Sequence, residues 1–526
     1  MNKLILTGVE GRNKVLAGIE KAADAVKHTL GVVGKSAMIS RGNFAPNITD
    51  DGVTVLKNIV LKDPFENMGA QLLKRVAIET NEKAGDGTTT SAVLARALVK
   101  ACFEEIGDDS SKVNEVVARL NQGLTETITY LEANKKQIEK DEDIQRIATI
   151  SCLDEELGKV IADTIIEAGP HGVVTVDESL MFGVSKEVVK GMRVDSGFIN
   201  PYFIENHERG ETVLNKTLVV VTDARLLTNV HIKPLLLLAK QTQNPTVLVF
   251  AEEIAGEALA TFTLNFQGKV VRVIPIKVSG SKRKEILKDI AVVAGAQFVT
   301  EETGKKITEI TLGQFGFADK AVVTKNHVTI LGGKGTQEAI KDRCNAIELE
   351  LAETTSDIEK DLLKSRLASL AGGIGVIRVG AYSDTELQAK KYKIEDAINA
   401  TRCAIEEGIL PGGGTALLRA AMNSKDAIFN KALTSPIIQM SDNSGYKGWE
   451  LKEDNDFWTG VDFKKKSVAD LYEIGVLDPF KVTRLALENA VSIASTLITA
   501  ETFIVDEPDY GKQPVQNIDI ELDSRQ

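Results

Sequence analysis

The sequence predicts a multidomain chain of mixed α and α/β class, helical at both ends with an α/β region inserted between them. Three observations carry that prediction. Apolar residues recur at helical spacing over 9–30, 66–80 and 88–106, and again beyond 337. Between about 172 and 335, short β-branched runs alternate with helical stretches. Gly191 and the run Gly372-Gly373-Ile374-Gly375 bound that region and read as turns or hinges. A chain of 526 residues is long enough for two to four domains with separate cores.

In chain order, Val15, Ile19, Ala22, Ala23 and Val26 predict a first helix that ends near Thr29-Leu30-Gly31. Gly31-Val32-Val33-Gly34-Lys35-Ser36 approaches a P-loop, but that motif needs glycine where Thr29 stands, and a Walker site is rejected. Met38-Ile39-Ser40 alternates as a strand would. Asp51-Gly52 then marks a turn into the next helix, and the adjacent Asp50 and Asp51 offer carboxylates to a cation.

Gly85-Asp86-Gly87-Thr88-Thr89-Thr90 carries the most chemistry. Two glycines let a backbone approach a ligand closely. The hydroxyls sit where the following helix leaves its first N–H groups without internal partners, a ready site for phosphate. A carboxylate at that mouth repels bare phosphate, so Asp86 is read as holding a hard cation between them. A threonine N-cap after a glycine turn is the simpler alternative for these residues taken alone.

The stretch 111–140 reads as a helix, with its charges around Lys135, Lys136 and 139–143 on a solvated face. Strands are expected at 172–176, 218–221, 246–250 and 270–274, and helices at 231–241, 255–267 and 283–294. Residues 337–371 are strongly helical, with many i,i+4 charge pairs. The glycines that follow are no dinucleotide fingerprint, since its last glycine falls at Arg378. A long helix over 384–407 ends at Gly408. The region 415–505 is mostly helical, with Leu477-Asp478-Pro479 marking a turn.

Composition excludes several classes. Lys plus Arg is 63 against 75 for Asp plus Glu, a net charge of −12 that argues against sequence-independent nucleic-acid binding. Cys102, Cys152, Cys344 and Cys403 are far apart and suggest neither a zinc site nor a disulfide framework. No apolar run reaches membrane-spanning length and no signal-peptide core is seen, so a soluble cytoplasmic protein with no membrane partner is expected.

Taken together, Thr29-Leu30-Gly31, Asp51-Gly52-Val53, Phe65 to Gln71, Ala84 to Thr90, Glu395-Asp396-Ala397, Glu406-Glu407-Gly408, Gly412-Gly413-Gly414 and Leu477 to Arg484 resemble the group I chaperonins, the GroEL type, over nearly the whole chain. The resemblance implies a helical equatorial ATP-binding domain (1–133 and 407–526), a small intermediate hinge domain (134–190 and 374–406) and an inserted α/β apical domain (191–373). It implies ATP, Mg2+ and K+ as cofactors, and a homo-oligomeric ring, sevenfold in this family, single or double. Its partners are non-native polypeptide clients, and the resemblance leaves open a co-chaperonin lid. A virus-encoded copy would work in the host cytoplasm.

Residue roles follow the same resemblance. Asp86 matches the Mg2+ ligand, and Gly87, Thr88, Thr89 and Thr90 the phosphate loop. Thr29, Leu30 and Gly31 match a second phosphate and base contact, and Gly413 and Asp478 contacts to the nucleoside. Asp396 matches the residue that activates the attacking water, with Asp51 a second catalytic carboxylate. Phe198, Tyr202, Phe203, Leu236, Leu259 and Leu264 match the apolar surface offered to clients; ordinary core is the competing reading for them. The implied function is an ATP-dependent folding chaperone. Its alternative is a ring-forming binding or scaffold protein with lost or weak ATPase turnover.

The sequence departs from the family pattern in places. Val32 stands where the family has proline, Asp50 where it has a basic residue, and Gly460-Val461-Asp462-Phe463-Lys464 where it has the Asn-Ala-Ala contact to adenine. Lys233 and Thr263 replace an apical leucine and valine, and the segment between Gly414 and Gly460 is shorter by about a helix.

Overall fold

The computed structural model describes residues 3–42, 44–169, 172–179, 182–189, 191–207, 209–242, 245–280, 282–300, 302, 304–354, 356–371, 374–451 and 456–507. The chain forms two compact units, 1–162 with 382–526, and 163–381.

The first unit is helical. Its core joins the helices Gly8–Val26, Pro64–Ala84, Thr88–Ile106, Val113–Asn134 and Phe480–Ile498. Each presents apolar residues at three- and four-residue spacing, as Val15, Ile19, Ala22, Ala23 and Val26 do on the first, all essentially without exposure. The first two of these helices touch through glycine. A Cβ on Gly18 would overlap the backbone of Glu66, and one on Gly69 the carbonyl of Val15. The two ends of the described chain meet in an antiparallel pair, Lys3–Thr7 with Thr502–Asp506, and buried Arg12 pairs with Glu501 beside it.

The second unit holds a seven-stranded mixed sheet. Its order runs Arg272–Lys277, Thr246–Ala251, Glu211–Thr222, Gly316–Thr324, Val328–Gly333, Gly191–Val194, with Phe298–Val299 beside Glu211–Thr222. The first three strands pair in parallel, as Phe298–Val299 does with Glu211–Thr222, and the remaining pairs are antiparallel. Thr246–Ala251 is buried along its whole length, as a strand covered on both faces must be. The helices Asn229–Lys240, Gly256–Gln267 and Arg283–Ala294 lie in the intervals between strands. A smaller three-stranded sheet sets Ile374–Gly380 between Val173–Glu178 and Gly183–Val189.

Several expectations are corrected. The helix expected over 111–140 stops at Asn134, because Lys136 is drawn into backbone bonds with Ile409; a new helix, Asp141–Cys152, follows. The stretch 337–371 is helical as expected, in two helices, Gln337–Glu353 and Asp357–Ala371. Leu477–Pro479 is a short strand paired with Ile409–Pro411 rather than a turn. Of the expected glycine hinge, Gly372 and Gly373 lie outside the described residues, whereas Ile374 and Gly375 open the central strand of the small sheet. Gly375 is required there by contact, since its Cβ would stand 2.5 Å from Thr164 Cγ2. The polar tail beyond Glu507 also lies outside the described residues.

Candidate functional site

A cavity of about 530 Å³ opens in the helical unit, and it gathers Thr29, Leu30, Gly31, Asp51, Asp86, Gly87, Thr88, Thr89, Thr90, Asp396, Gly413 and Asp478. These are all the residues expected at a nucleotide and catalytic site. They come from far-separated parts of the chain.

The floor is the start of the helix Thr88–Ile106. Gly85 ends the preceding helix in the left-handed conformation (φ 68°), and Gly87 begins the next in the same region (φ 78°). No side chain caps this helix, so its first N–H groups remain available at the positive end of the helix dipole. A Cβ on Gly87 would stand 2.5 Å from Val482 Cγ1, which packs the loop tightly from behind. Thr29 Oγ1 lies 3.1 Å from Thr89 Oγ1, so the two phosphate-matching segments share one wall.

Asp51 is oriented as the N-cap of the short helix Gly52–Lys57. Its carboxylate accepts from Val53 N–H and Thr54 N–H, both at 3.0 Å, and from Thr54 Oγ1 at 2.5 Å. The plain turn read from the sequence and the carboxylate at the cavity are thus one feature. Gly52 keeps the loop against Thr88 and Thr89, whose hydroxyls a Cβ there would strike.

Asp396 arrives on the helix Asp384–Glu407. That helix rests on the glycine loop through a stripe at i, i+3 and i+7: Asp396, Asn399 above Gly85, and Cys403, whose Sγ donates to Ala84 O at 3.4 Å. Its end is tied down by ions. Arg484 bonds Glu407 through Nη2 at 2.6 Å and Nε at 3.0 Å, and Lys481 reaches Glu406 at 2.5 Å. The Glu406-Glu407 and Lys481 to Arg484 motifs are therefore the two halves of one clamp.

Electrostatically the site is strained. Asp86 is raised above the usual carboxylate range by removal from water and by the charge of Asp51, against a hydrogen bond from Gly87 N–H. Asp396 is raised well above it, first by desolvation and then by Asp86 and Asp51. Asp478 is pushed up to about 7 by desolvation and by Asp86. Crowded carboxylates favour an added cation, and the open helix N-terminus favours an added anion. The residues therefore fit a polyphosphate carried with a hard cation. Among the described residues no three His, Cys, Asp or Glu side chains form a metal site by themselves, so such a cation would draw most of its ligands from phosphate oxygens and water.

The other end of the cavity is apolar. Leu30, Met440, Val461 and Phe463 belong to one buried cluster, and Gly413 (φ 63°) turns the chain beside Val461 and Phe463. Asp478 Oδ1 stands 3.0 Å from where a Cβ of Gly412 would lie.

Sequence reasoning missed several supports. Asn443 donates to Lys27 O and Leu30 O, both at 2.9 Å, and so fixes the Thr29-Leu30-Gly31 turn. Lys464 and Lys465 line the cavity, with their N–H groups bonded to Asp462 Oδ1. No motif marks Asn443, because it acts across more than 400 residues of chain, whereas Lys464 closes the segment already noted as departing from the family pattern.

The residues matched to clients lie in the other unit. Tyr202 is 63% and Leu264 69% exposed. Phe198, Leu236 and Leu259 are half-buried against the core. Phe203 is a correction: it has no exposure and packs edge-on against Phe266, with ring centroids 5.4 Å apart, so it is core here rather than surface. Val230 and Leu237, not anticipated, are exposed on the helix Asn229–Lys240. Among the described residues no helix is long and apolar enough to cross a membrane.

Comparison with solved structures finds the same fold in the chaperonin gp146 of bacteriophage EL 2 (Pseudomonas aeruginosa), crystallised in the presence of ATP-BeFx. One crystal form superposes with a TM-score of 0.71 at 23% identity, over 96% of this chain and all of the other. A second form gives a TM-score of 0.64 at 22% identity, over 96% of this chain and 99% of the other. The model of the TCP-1/cpn60 chaperonin family matches residues 22–508. The chain described here belongs to the TCP-1/cpn60 chaperonin family.

Proposed function

We propose that this chaperonin is an ATP-driven folding machine that binds non-native polypeptides on apolar surface of its α/β unit and releases them through ATP binding and hydrolysis in a homo-oligomeric ring. The observation that carries the reading is the convergence of Asp51, Asp86 and Asp396 on the uncapped start of the helix Thr88–Ile106. That gp146 was crystallised with ATP-BeFx is consistent with it.

In this reading Thr88, Thr89, Thr90 and Gly87 bind the triphosphate through the helix N-terminus, and Thr29 and Gly31 flank it. Asp86 would hold Mg2+, and the ion would supply charge neutralisation at the phosphates. Asp396 accepts a proton from the attacking water, and Asp51 supports it from a fixed cap. Phosphoryl transfer asks a protein chiefly for positioning and charge stabilisation, and these residues supply both. Leu30, Gly413 and Asp478 hold the nucleoside. Nothing among the described residues singles out a place for K+, and no step is derived through it.

The proposed domains are equatorial (1–133, 407–526), intermediate (134–190, 374–406) and apical (191–373). The intermediate segments then contribute the helices Asp141–Cys152 and Asp384–Glu407 to one compact unit and the small sheet to the other. Tyr202, Leu264 and their half-buried neighbours Phe198, Leu236 and Leu259 form the proposed client surface. Each apolar side chain covered contributes roughly 1.5–3 kcal/mol, enough in combination to hold a loose client after association costs.

Steady-state phosphate release, measured alongside refolding of a chemically denatured client, tests the proposal. Both activities are expected, and both are expected to vanish in Asp396→Ala. Client binding with no phosphate release would favour a ring-forming scaffold instead.

A further inference from the structure

The helix Asp141–Cys152 closes on Leu153, whose backbone lies at φ 57°, ψ 24°. Glycine and asparagine take this left-handed conformation readily, whereas a bulky side chain there meets a neighbouring carbonyl oxygen. The helix end demands it, because Leu153 N–H donates to Thr149 O at 2.8 Å and closes the last turn. The leucine side chain is also 47% exposed. The left-handed residue ends the helix, but a leucine in that place, exposed as well, does not serve it, since an asparagine would end the helix with less strain.

The position of the side chain supplies the reason. Leu153 lines the main cavity and also a neighbouring cavity of about 490 Å³. It shares both with Val32, Ile150, Ile474 and Lys464, so these side chains form the partition between the two. Asp51, Asp86 and Thr88 to Thr90 line the main cavity alone. The partition is mostly apolar, while the phosphate-facing end is not. An apolar wall in a polyphosphate cavity suits the one apolar part such a ligand has, the face of its base.

We infer that Leu153 is a positioning residue that clamps the nucleobase face of a nucleoside triphosphate held in the main cavity. The strain is carried by the free protein, and the exposed side chain is covered when the ligand is in place. This rests on the nucleotide reading of the cavity given above. Ile150, one turn before Leu153 on the same helix, supports the clamp from the same side.

The test uses the full chain and compares binding of ATP with binding of inorganic tripolyphosphate, both with Mg2+, by calorimetry. Leu153→Asn keeps the backbone conformation and removes the apolar side chain. It is expected to raise the apparent Tm of the ligand-free protein by about 2–4 °C. It should also weaken ATP roughly tenfold, as loss of one partly covered leucine implies, and Leu153→Gly should weaken ATP similarly. Tripolyphosphate, which has no base, should bind both variants as it binds the wild type, and Leu153→Met should restore ATP affinity. Equal ATP binding by Leu153→Asn and wild type would overturn the clamp and leave the nucleotide site standing. A parallel loss of ATP and tripolyphosphate would overturn it too, by showing a collapsed site. Wild-type protein that binds neither ligand would overturn both readings.

Discussion

The side-chain amide of Asn399 lies directly on Gly85, so closely that a Cβ on Gly85 would overlap it. Asp396 sits one helical turn before Asn399, and Asp86 follows Gly85 in the chain, so this contact sets the spacing between two carboxylates of the cavity. Gly85→Ala should therefore act at a distance. The added methyl both strains a backbone at φ 68° and lifts the helix Asp384–Glu407. A loss of roughly 1–3 kcal/mol in stability is expected, with phosphate release falling about a hundredfold, as for a displacement near 1 Å. Nucleotide affinity should change less, since Thr88 to Thr90 stay in place. Adding Asn399→Ala should recover part of the turnover, and a double-mutant cycle on phosphate release checks that coupling.

The pH dependence of the ligand-free protein should report the crowded carboxylates. Asp478 is raised to about 7 in the fold, by desolvation and by Asp86, while in the unfolded chain it titrates near 3.8. The folded form therefore binds a proton that the unfolded chain has released. The resulting stability is fully present below the unfolded value and is lost as pH rises through about 7. Asp86 and Asp396 are raised in the same direction and add to the same trend. Asp478 keeps part of its surface open to the cavity, so its share is on the order of 1–3 kcal/mol. Asp478→Asn should be more stable than wild type at pH 8 and nearly equal to it at pH 4. Urea midpoints at the two pH values decide the matter, and parallel profiles for the two proteins would sink it.

Much of this architecture was legible where local and tertiary demands agree. The helices over 88–106, 283–294 and 384–407 fall where the sequence puts them, and each closes on a glycine, Gly107, Gly295 or Gly408. Legibility failed where a distant segment intervenes. The charged run after Asn134 continues a helical pattern, but Lys136 bonds Ile409 through its backbone. Its ammonium lies 4.3 Å from the Trp458 ring centre and 3.9 Å from that of Tyr472. Leu477–Pro479 is strand only because Ile409–Pro411 pairs with it. The site divides in the same way. Its glycines, threonines and carboxylates stand in motifs, while Asn399, Asn443 and Leu153 act through positions that only folding brings near.

In the α/β unit, the anchor of the helical layer is ionic. Asp289 has no exposure and accepts from Arg343 Nε at 2.6 Å and from Arg366 Nε at 2.8 Å, one arginine from each of the helices Gln337–Glu353 and Asp357–Ala371. Removing Asp289 leaves buried Arg366 without its hydrogen-bonded carboxylate, while Arg343 keeps Glu285 at 2.6 Å. Asp289→Ala should destabilise this unit by about 3–5 kcal/mol, seen as an earlier unfolding step in urea. Lys390→Ala, which breaks only an exposed i,i+4 pair with Glu386, should move the midpoint by less than about 0.5 kcal/mol. Similar effects from the two changes would refute the distinction.

The proposed client surface makes a sharper demand, because residues adjacent in sequence must behave oppositely. Tyr202 is exposed and Phe203 is sealed in the core. Tyr202→Ser and Leu264→Ser together should leave folding within about 0.5 kcal/mol of wild type, as for surface changes elsewhere. They should weaken capture of a denatured client by roughly tenfold per side chain, on the scale of one apolar contact, with phosphate release unaltered. Phe203→Ser should instead cost about 3–5 kcal/mol of stability through the cavity beside Phe266. An aggregation-suppression assay, run with thermal melts on the same preparations, separates capture from folding. Full capture by the Tyr202→Ser, Leu264→Ser protein would move the client surface elsewhere, with exposed Val230 and Leu237 the next residues to change.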